Sequence, residues 1–134
     1  MADFRRLNVG VIGAGWVGSI RANACARNPI VDQLHIAEID PRRQSEIAAE
    51  TDPVSVTDDW ETLITDESID AIIIAMTPET ARFPIVMAAL RAGKHVFVEK
   101  PIAPSIAEAE KAYAVAEANN AKVTIGYSRR FDPR

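Results

Sequence analysis

With a single cysteine, Cys25, the chain has no partner for an intrachain disulfide and no thiol set for a structural zinc site. Cys25 lies in an alanine-rich stretch and reads as a small packed side chain. Neither histidine, His35 or His95, stands at metal-ligand spacing from another histidine or an acid; both fall in strand-like runs, where a buried, hydrogen-bonded ring is expected. Long hydrophobic runs are missing. The N-terminal apolar stretch is broken by glycines and too short for a signal segment or a membrane span, so a cytoplasmic location is the default expectation. Positive charge is nowhere massed: 15 Lys and Arg stand against 19 Asp and Glu, a net charge of −4. Nucleic acid and anionic membrane, which need a concentrated positive field, are therefore not expected as partners. The Walker A pattern is absent, which argues against an ATPase or GTPase, and no Ser/His/Asp arrangement stands in motif positions. Linkers, repeats and low-complexity segments are lacking as well.

What is present is an ordinary globular composition, 48% hydrophobic and 25% charged. Its 134 residues are expected to form one domain over 1–134. Strand and helix patterns alternate from end to end. Strands are expected at 7–12, 34–37, 54–56, 70–76, 95–98 and 122–126. The run Ala71-Ile72-Ile73-Ile74-Ala75 is continuously apolar, as in a parallel strand covered on both faces. Helices are expected at 16–27, with Trp16, Ile20 and Ala24 on one face, and from Asp40-Pro41 to about Glu50, with aspartate as cap. A short helix begins at Asp58-Asp59-Trp60-Glu61. Another is expected at 84–92, because Pro84 would break a helix running through it. The last opens on the capping box Ser105/Glu108, with Ile106, Ala109, Tyr113 and Ala116 at helical spacing. Six strands separated by helices predict an α/β fold: a doubly wound parallel sheet of Rossmann type, in the order 3-2-1-4-5-6.

Between the first strand and the first helix stands Gly13-Ala14-Gly15-Trp16-Val17-Gly18. In that context Gly13 permits the tight turn, Gly15 lets a diphosphate approach the backbone, and Gly18 lets the helix pack closely on the sheet. The amides of the first helical turn and the helix dipole then favour phosphate charge. An acid after the second strand should bind the adenosine ribose, and two compete. Glu38 lies about 20 residues beyond Gly18, the expected spacing, whereas Asp40 is accounted for as a helix cap; the spacing favours Glu38. A carboxylate there selects NAD, while Arg42 and Arg43 keep NADP open. At the end of the fifth strand, Glu99-Lys100-Pro101 puts a charged pair at the crevice where open α/β sheets bind ligands. Lys100 there can orient a substrate hydroxyl and stabilise charge as a proton leaves. A cis bond at Pro101 would aim that lysine in an unusual direction.

The glycine loop, Ile69-Asp70-Ala71-Ile72-Ile73-Ile74-Ala75, Thr77-Pro78, Gly93-Lys94-His95-Val96 and Glu99-Lys100-Pro101 together resemble the N-terminal domain of the glucose–fructose oxidoreductase / inositol dehydrogenase (Gfo/Idh/MocA) family. The resemblance covers nearly the whole chain. The stretch from Val123 to Asp132 is similar to the segment that leaves the sixth strand in inositol 2-dehydrogenases. The resemblance implies that Gly13, Gly15 and Gly18, with the Trp16 and Val17 amides, face a diphosphate and that Glu38 takes the ribose-binding place. It also implies that Thr77, Pro78 and Glu99 lie near the nicotinamide and that Lys100 is the lysine of the catalytic site. The chain departs from the family in carrying Arg82 where a histidine often stands, and in ending where a second, substrate-binding domain would begin.

The implied activity is hydride transfer between NAD(P) and a secondary alcohol of a sugar or cyclitol. The 134-residue chain is expected to bind coenzyme with little or no turnover. Apolar surface left by the missing domain is expected to favour homo-oligomers. A non-catalytic coenzyme-binding sensor or subunit module is the alternative, though it leaves Glu99-Lys100-Pro101 without a purpose. An S-adenosylmethionine-dependent methyltransferase, a third reading, is opposed by the same segment.

Overall fold

In the computed structural model, which describes residues 4–134, the alternating pattern becomes a sheet of six parallel strands in the order β3-β2-β1-β4-β5-β6. In chain order the strands are β1 (Leu7–Ile12), β2 (Val31–Ala37), β3 (Ser55–Thr57), β4 (Ala71–Ile74), β5 (His95–Val98) and β6 (Val123–Ile125). The helices are α1 (Trp16–Arg27), α2 (Pro41–Thr51), α3 (Trp60–Thr65), α4 (Arg82–Arg91) and α5 (Ile106–Ala118). The sheet order is the doubly wound one.

The apolar runs follow from this layering. On one face Val11, Leu34 and Ile36 pack with Ala22 of α1 and Ile47 of α2. On the other, Ile72, Ile74, Val96 and Val98 pack with Leu63 of α3, with Val86 and Leu90 of α4 and with Ala112 of α5. Alternate residues of β4 serve both faces: Ile72 and Ile74 belong to the second cluster, whereas Ile73 packs against the first. A strand with helices on both sides has no solvent face to make polar, hence its unbroken apolar run.

Several expectations needed correction. The stripe Trp16, Ile20 and Ala24 does share a face of α1, but it is the exposed one; Gly18 and Ala22 are buried instead. Small residues face the sheet there because the helix axis must come close. Of the α5 stripe, Ala109 and Ala116 pack as expected, with Ala112 beside them, whereas Ile106 and Tyr113 point outward. Finally, the fourth helix begins at Arg82, after a 3-10 turn at Glu79–Ala81, and contains Pro84. Pro84 is tolerated because a first-turn N–H has no intrahelical acceptor to lose. The second strand also starts earlier than expected, at Val31, and the fourth is the shorter Ala71–Ile74.

Helix starts follow local chemistry. The Asp40 carboxylate accepts the Arg42 and Arg43 N–H groups to begin α2, with Pro41 as its first residue. Ser105 accepts the Glu108 N–H to cap α5 and donates its hydroxyl to the Glu108 carboxylate. Among the described residues, no helix is long and apolar enough to cross a membrane. The described residues also bring together no group of three or more His, Cys, Asp or Glu side chains fit to hold a metal.

Candidate dinucleotide site

Parallel strands all end on the same edge, and here that edge opens into a cleft of about 570 Å³ beyond the ends of β1, β2, β4 and β5. Of the residues singled out in the sequence, Gly13, Gly15, Trp16, Val17, Glu38, Thr77, Glu99 and Lys100 line it. Gly18, Asp40 and Pro78 do not.

The glycine loop is shaped by close approaches. Gly13 sits at φ +90°, and a Cβ there would come within 2.5 Å of the Met76 Cα on the neighbouring strand's exit. A Cβ at Gly18 would collide with the Gly13 carbonyl, so only glycine lets the first turn of α1 lie so tightly against the loop. Gly15, the N-cap of α1, offers no side chain to cap the helix, and the first turn holds no acid. The amides of that turn, at the positive end of the helix dipole, are left to an outside acceptor in a cradle that a side chain would fill. That donor set suits a diphosphate.

Glu38, just past β2, is 5% exposed. Its Oε2 accepts the Ala14 N–H at 2.7 Å and its Oε1 the Asp40 N–H at 2.9 Å. The carboxylate thereby ties the tip of β2 to the glycine loop, and Glu38 lines the cleft. Asp40 lies outside the cleft as the α2 cap; the backbone N–H of Arg43, then that of Arg42, holds its carboxyl below the ordinary range. Around Glu38 the cleft is also walled by Ile39, Asp58 and Trp60. The Arg43 guanidinium reaches over the loop, its Nη1 3.7 Å from where a Gly15 Cβ would stand.

At the other end two X-Pro turns meet, Thr77–Pro78 and Lys100–Pro101, both cis. Arg82 joins them. Its Nε donates to the Met76 carbonyl at 2.7 Å, and its Nη1 donates to the Lys100 carbonyl at 2.9 Å and the Glu99 carbonyl at 3.4 Å. Glu99 is buried and its carboxylate is engaged: Arg21 of α1 reaches it from Nη2 at 2.7 Å and from Nε at 2.8 Å. The Arg21 guanidinium also lies 5.2 Å from the Phe97 ring centroid. Gly126 leaves room for that carboxylate, since a Cβ at 126 would come within 2.9 Å of its Oε2. The Lys100 side chain is exposed and forms no ion pair among the described residues.

Arg21, Trp60 and the clamp formed by Arg82 are site features that the sequence did not single out, whereas Arg43, which it named for the coenzyme phosphate, lines the cleft. For Arg21 a signal existed. Gly18, Arg21, Ala22 and Cys25 recur at i, i+3, i+4 and i+7, so the sheet-facing stripe of α1 contains one arginine that must find an anion. Trp60 carries no such signal, because only the sheet order brings the start of α3 beside the glycine loop.

Comparison with known proteins adds the following. Residues 7–127 match the oxidoreductase family described by its NAD-binding Rossmann fold. Inositol 2-dehydrogenase of Acidothermus cellulolyticus is 35% identical over an alignment taking in 99% of this chain and 39% of the relative. An NADP(+)-linked scyllo-inositol 2-dehydrogenase of Bacillus subtilis is 27% identical, over 94% of this chain and 36% of its own. Among solved structures, scyllo-inositol dehydrogenase from Lactobacillus casei, with bound NAD(H) and scyllo-inositol, superposes with a TM-score of 0.86 at 29% identity. That superposition covers 96% of this chain and 38% of the other. The chain thus spans about two-fifths of the length of the relatives it matches.

Proposed function

The chain belongs to the Gfo/Idh/MocA oxidoreductase family as a NAD-binding Rossmann domain, and on that footing we propose that it serves hydride transfer between NAD(P) and a secondary alcohol of a sugar or cyclitol. When bound, the nicotinamide supplies the hydride acceptor or donor, and the protein's part is placement and charge. The observation that carries the reading is the uncapped first turn of α1, which Gly13 and Gly18 press against the loop at the mouth of the cleft.

In this reading the Trp16 and Val17 amides, beside Gly13 and Gly15, hold the diphosphate, and Gly18 sets their approach. Glu38 accepts the adenosine ribose hydroxyls with the lone pairs that Ala14 and Asp40 leave free. Asp40 acts through the start of α2. Thr77 borders the nicotinamide half, and Pro78 sets the turn that presents it. Lys100 orients the substrate hydroxyl and stabilises the oxygen as its proton leaves. Glu99, committed to Arg21, fixes the segment that presents Lys100 and is not a free base.

Titration of the chain with NADH and NADPH, followed by calorimetry and by Trp16 fluorescence, tests the coenzyme reading. Binding of NADH with a preference over NADPH is expected. Glu38→Ala should lose that preference while Asp40→Ala keeps it; the opposite pattern moves the ribose contact to Asp40. Because the chain spans about two-fifths of its relatives, it is expected to bind coenzyme yet reduce NAD little or not at all with a panel of polyols. Sustained appearance of reduced coenzyme would refute that part.

A further inference from the structure

The cleft contains a buried cation to which the coenzyme reading gives no counter-charge. Arg82 is 5% exposed, yet no carboxylate lies within ion-pair distance of it among the described residues. Its acceptors are three backbone carbonyls, which take its hydrogens and leave the unit charge uncancelled. All three bonds come from Nε and Nη1; Nη2 makes none. No side-chain nitrogen or oxygen among the described residues is sealed from solvent without a partner. Nη2 therefore opens outward, and the space that Arg82 lines is the cleft.

The other charges at this end do not neutralise it. Glu99 is taken by Arg21. Glu79, in the 3-10 turn before α4, lines the cleft exposed and forms no ion pair. Lys100 adds a second cation, also unpaired. A guanidinium clamped by three carbonyls holds its remaining nitrogen, Nη2, in a set direction, and its uncancelled charge favours an anion such as a carboxylate over any neutral group. A hydroxyl could accept one such bond but would leave a desolvated charge without its counter-charge.

We propose that Arg82 and Lys100 form a carboxylate subsite at the Thr77/Lys100 end of the cleft, so that the substrate is a polyol acid. In such a sugar-derived carboxylate the reacting secondary alcohol lies beside the anionic group. The substrate assignment rests on the coenzyme reading for the place of the nicotinamide. The carboxylate subsite is a property of this chain's own residues and is tested without turnover.

The experiment follows the Arg82 Nε–H resonance of the isotope-labelled full chain at constant ionic strength. The added probe is gluconate or glucitol, which share a carbon skeleton and differ in the carboxylate. The expected result is a saturable shift with gluconate and a response at least about tenfold weaker with glucitol. Lys100→Met, an exposed substitution that leaves the core untouched, should weaken gluconate binding by about three- to tenfold. Arg82→Gln should abolish gluconate binding as read by calorimetry, since the variant lacks the followed resonance, and Arg82→Lys serves if the glutamine variant does not fold. Failure of gluconate to saturate the signal, or an equal response to glucitol, overturns the proposal. So does NADH alone shifting the same resonance and displacing gluconate, which would assign the cation to the coenzyme diphosphate. Failure of NADH to bind at all would instead count against the coenzyme reading and leave the gluconate result standing.

Discussion

An alanine at Gly13 would have to hold φ at +90° with its Cβ 2.5 Å from the Met76 backbone. The backbone conformation alone costs on the order of 1–3 kcal/mol, and the clash adds to it. Gly15 differs: its φ is −68°, and the sole neighbour of an added Cβ is the end of the Arg43 side chain at 3.7 Å. Gly15→Ala should therefore keep the stability of the parent within about 0.5 kcal/mol while weakening NADH binding, because the methyl stands where the diphosphate approaches. Urea denaturation with parallel NADH titration checks both, and equal destabilisation by the two alanines would contradict the geometry. His35 belongs to this scale too. Burial pushes its pKa below the ordinary 6.5, against a weaker opposite pull from Asp66, and its ring nitrogens meet Ser55 and Gln33. As pH falls through 6.5 the unfolded chain takes up the proton first, so stability is highest above that value. It declines until the folded histidine also protonates. The urea midpoint should drop between about pH 7.5 and 5.5, and drop less in His35→Gln. Identical drops would assign the effect to other groups.

Among the elements, β4 shows how one strand is shared between two cores. Ile72 is fully buried within the α3/α4/α5 side, whereas Ile73 is half-buried against the α1/α2 side. Ile72→Ala should cost about 2–5 kcal/mol by transfer and cavity terms, and Ile73→Ala clearly less. Equal losses in urea denaturation would mean that the strand is read in the wrong register. The apolar run of β4 and the glycine turn before α1 were legible from sequence, because periodicity and turn chemistry are local. The facing of α1 was not, and that of α5 only in part, through Ala109 and Ala116. Trp16, Ile20, Ile106 and Tyr113 are the larger side chains at helical spacing, yet the packed positions are Gly18, Ala22, Ala112 and Ala116. How closely a helix approaches its sheet decides whether bulk or smallness marks the inner face, and that distance is not written in one helix's pattern.

For the whole molecule, Trp16 is 83% exposed and Ile20, one turn on, is 50% exposed. Large apolar side chains at adjacent turns of one face favour association. Sedimentation of the chain should show dimers or larger species at high concentration, reduced by Ile20→Glu. A monomer at every concentration would dismiss that expectation.

By itself the sequence determined the alternation of strand and helix, the glycine turn and a pair of candidate acids beside it. Each of these depends on residues near one another in the chain, or on a strand's need to be apolar on both sides. Only the tertiary structure decided between Glu38 and Asp40 as the acid that lines the cleft. It alone revealed that Glu99 is held by Arg21, 78 positions away in sequence, and that Arg82 clamps the ends of β4 and β5. Charge pairing across a sheet depends on which strands become neighbours, and no local pattern of side chains records that choice.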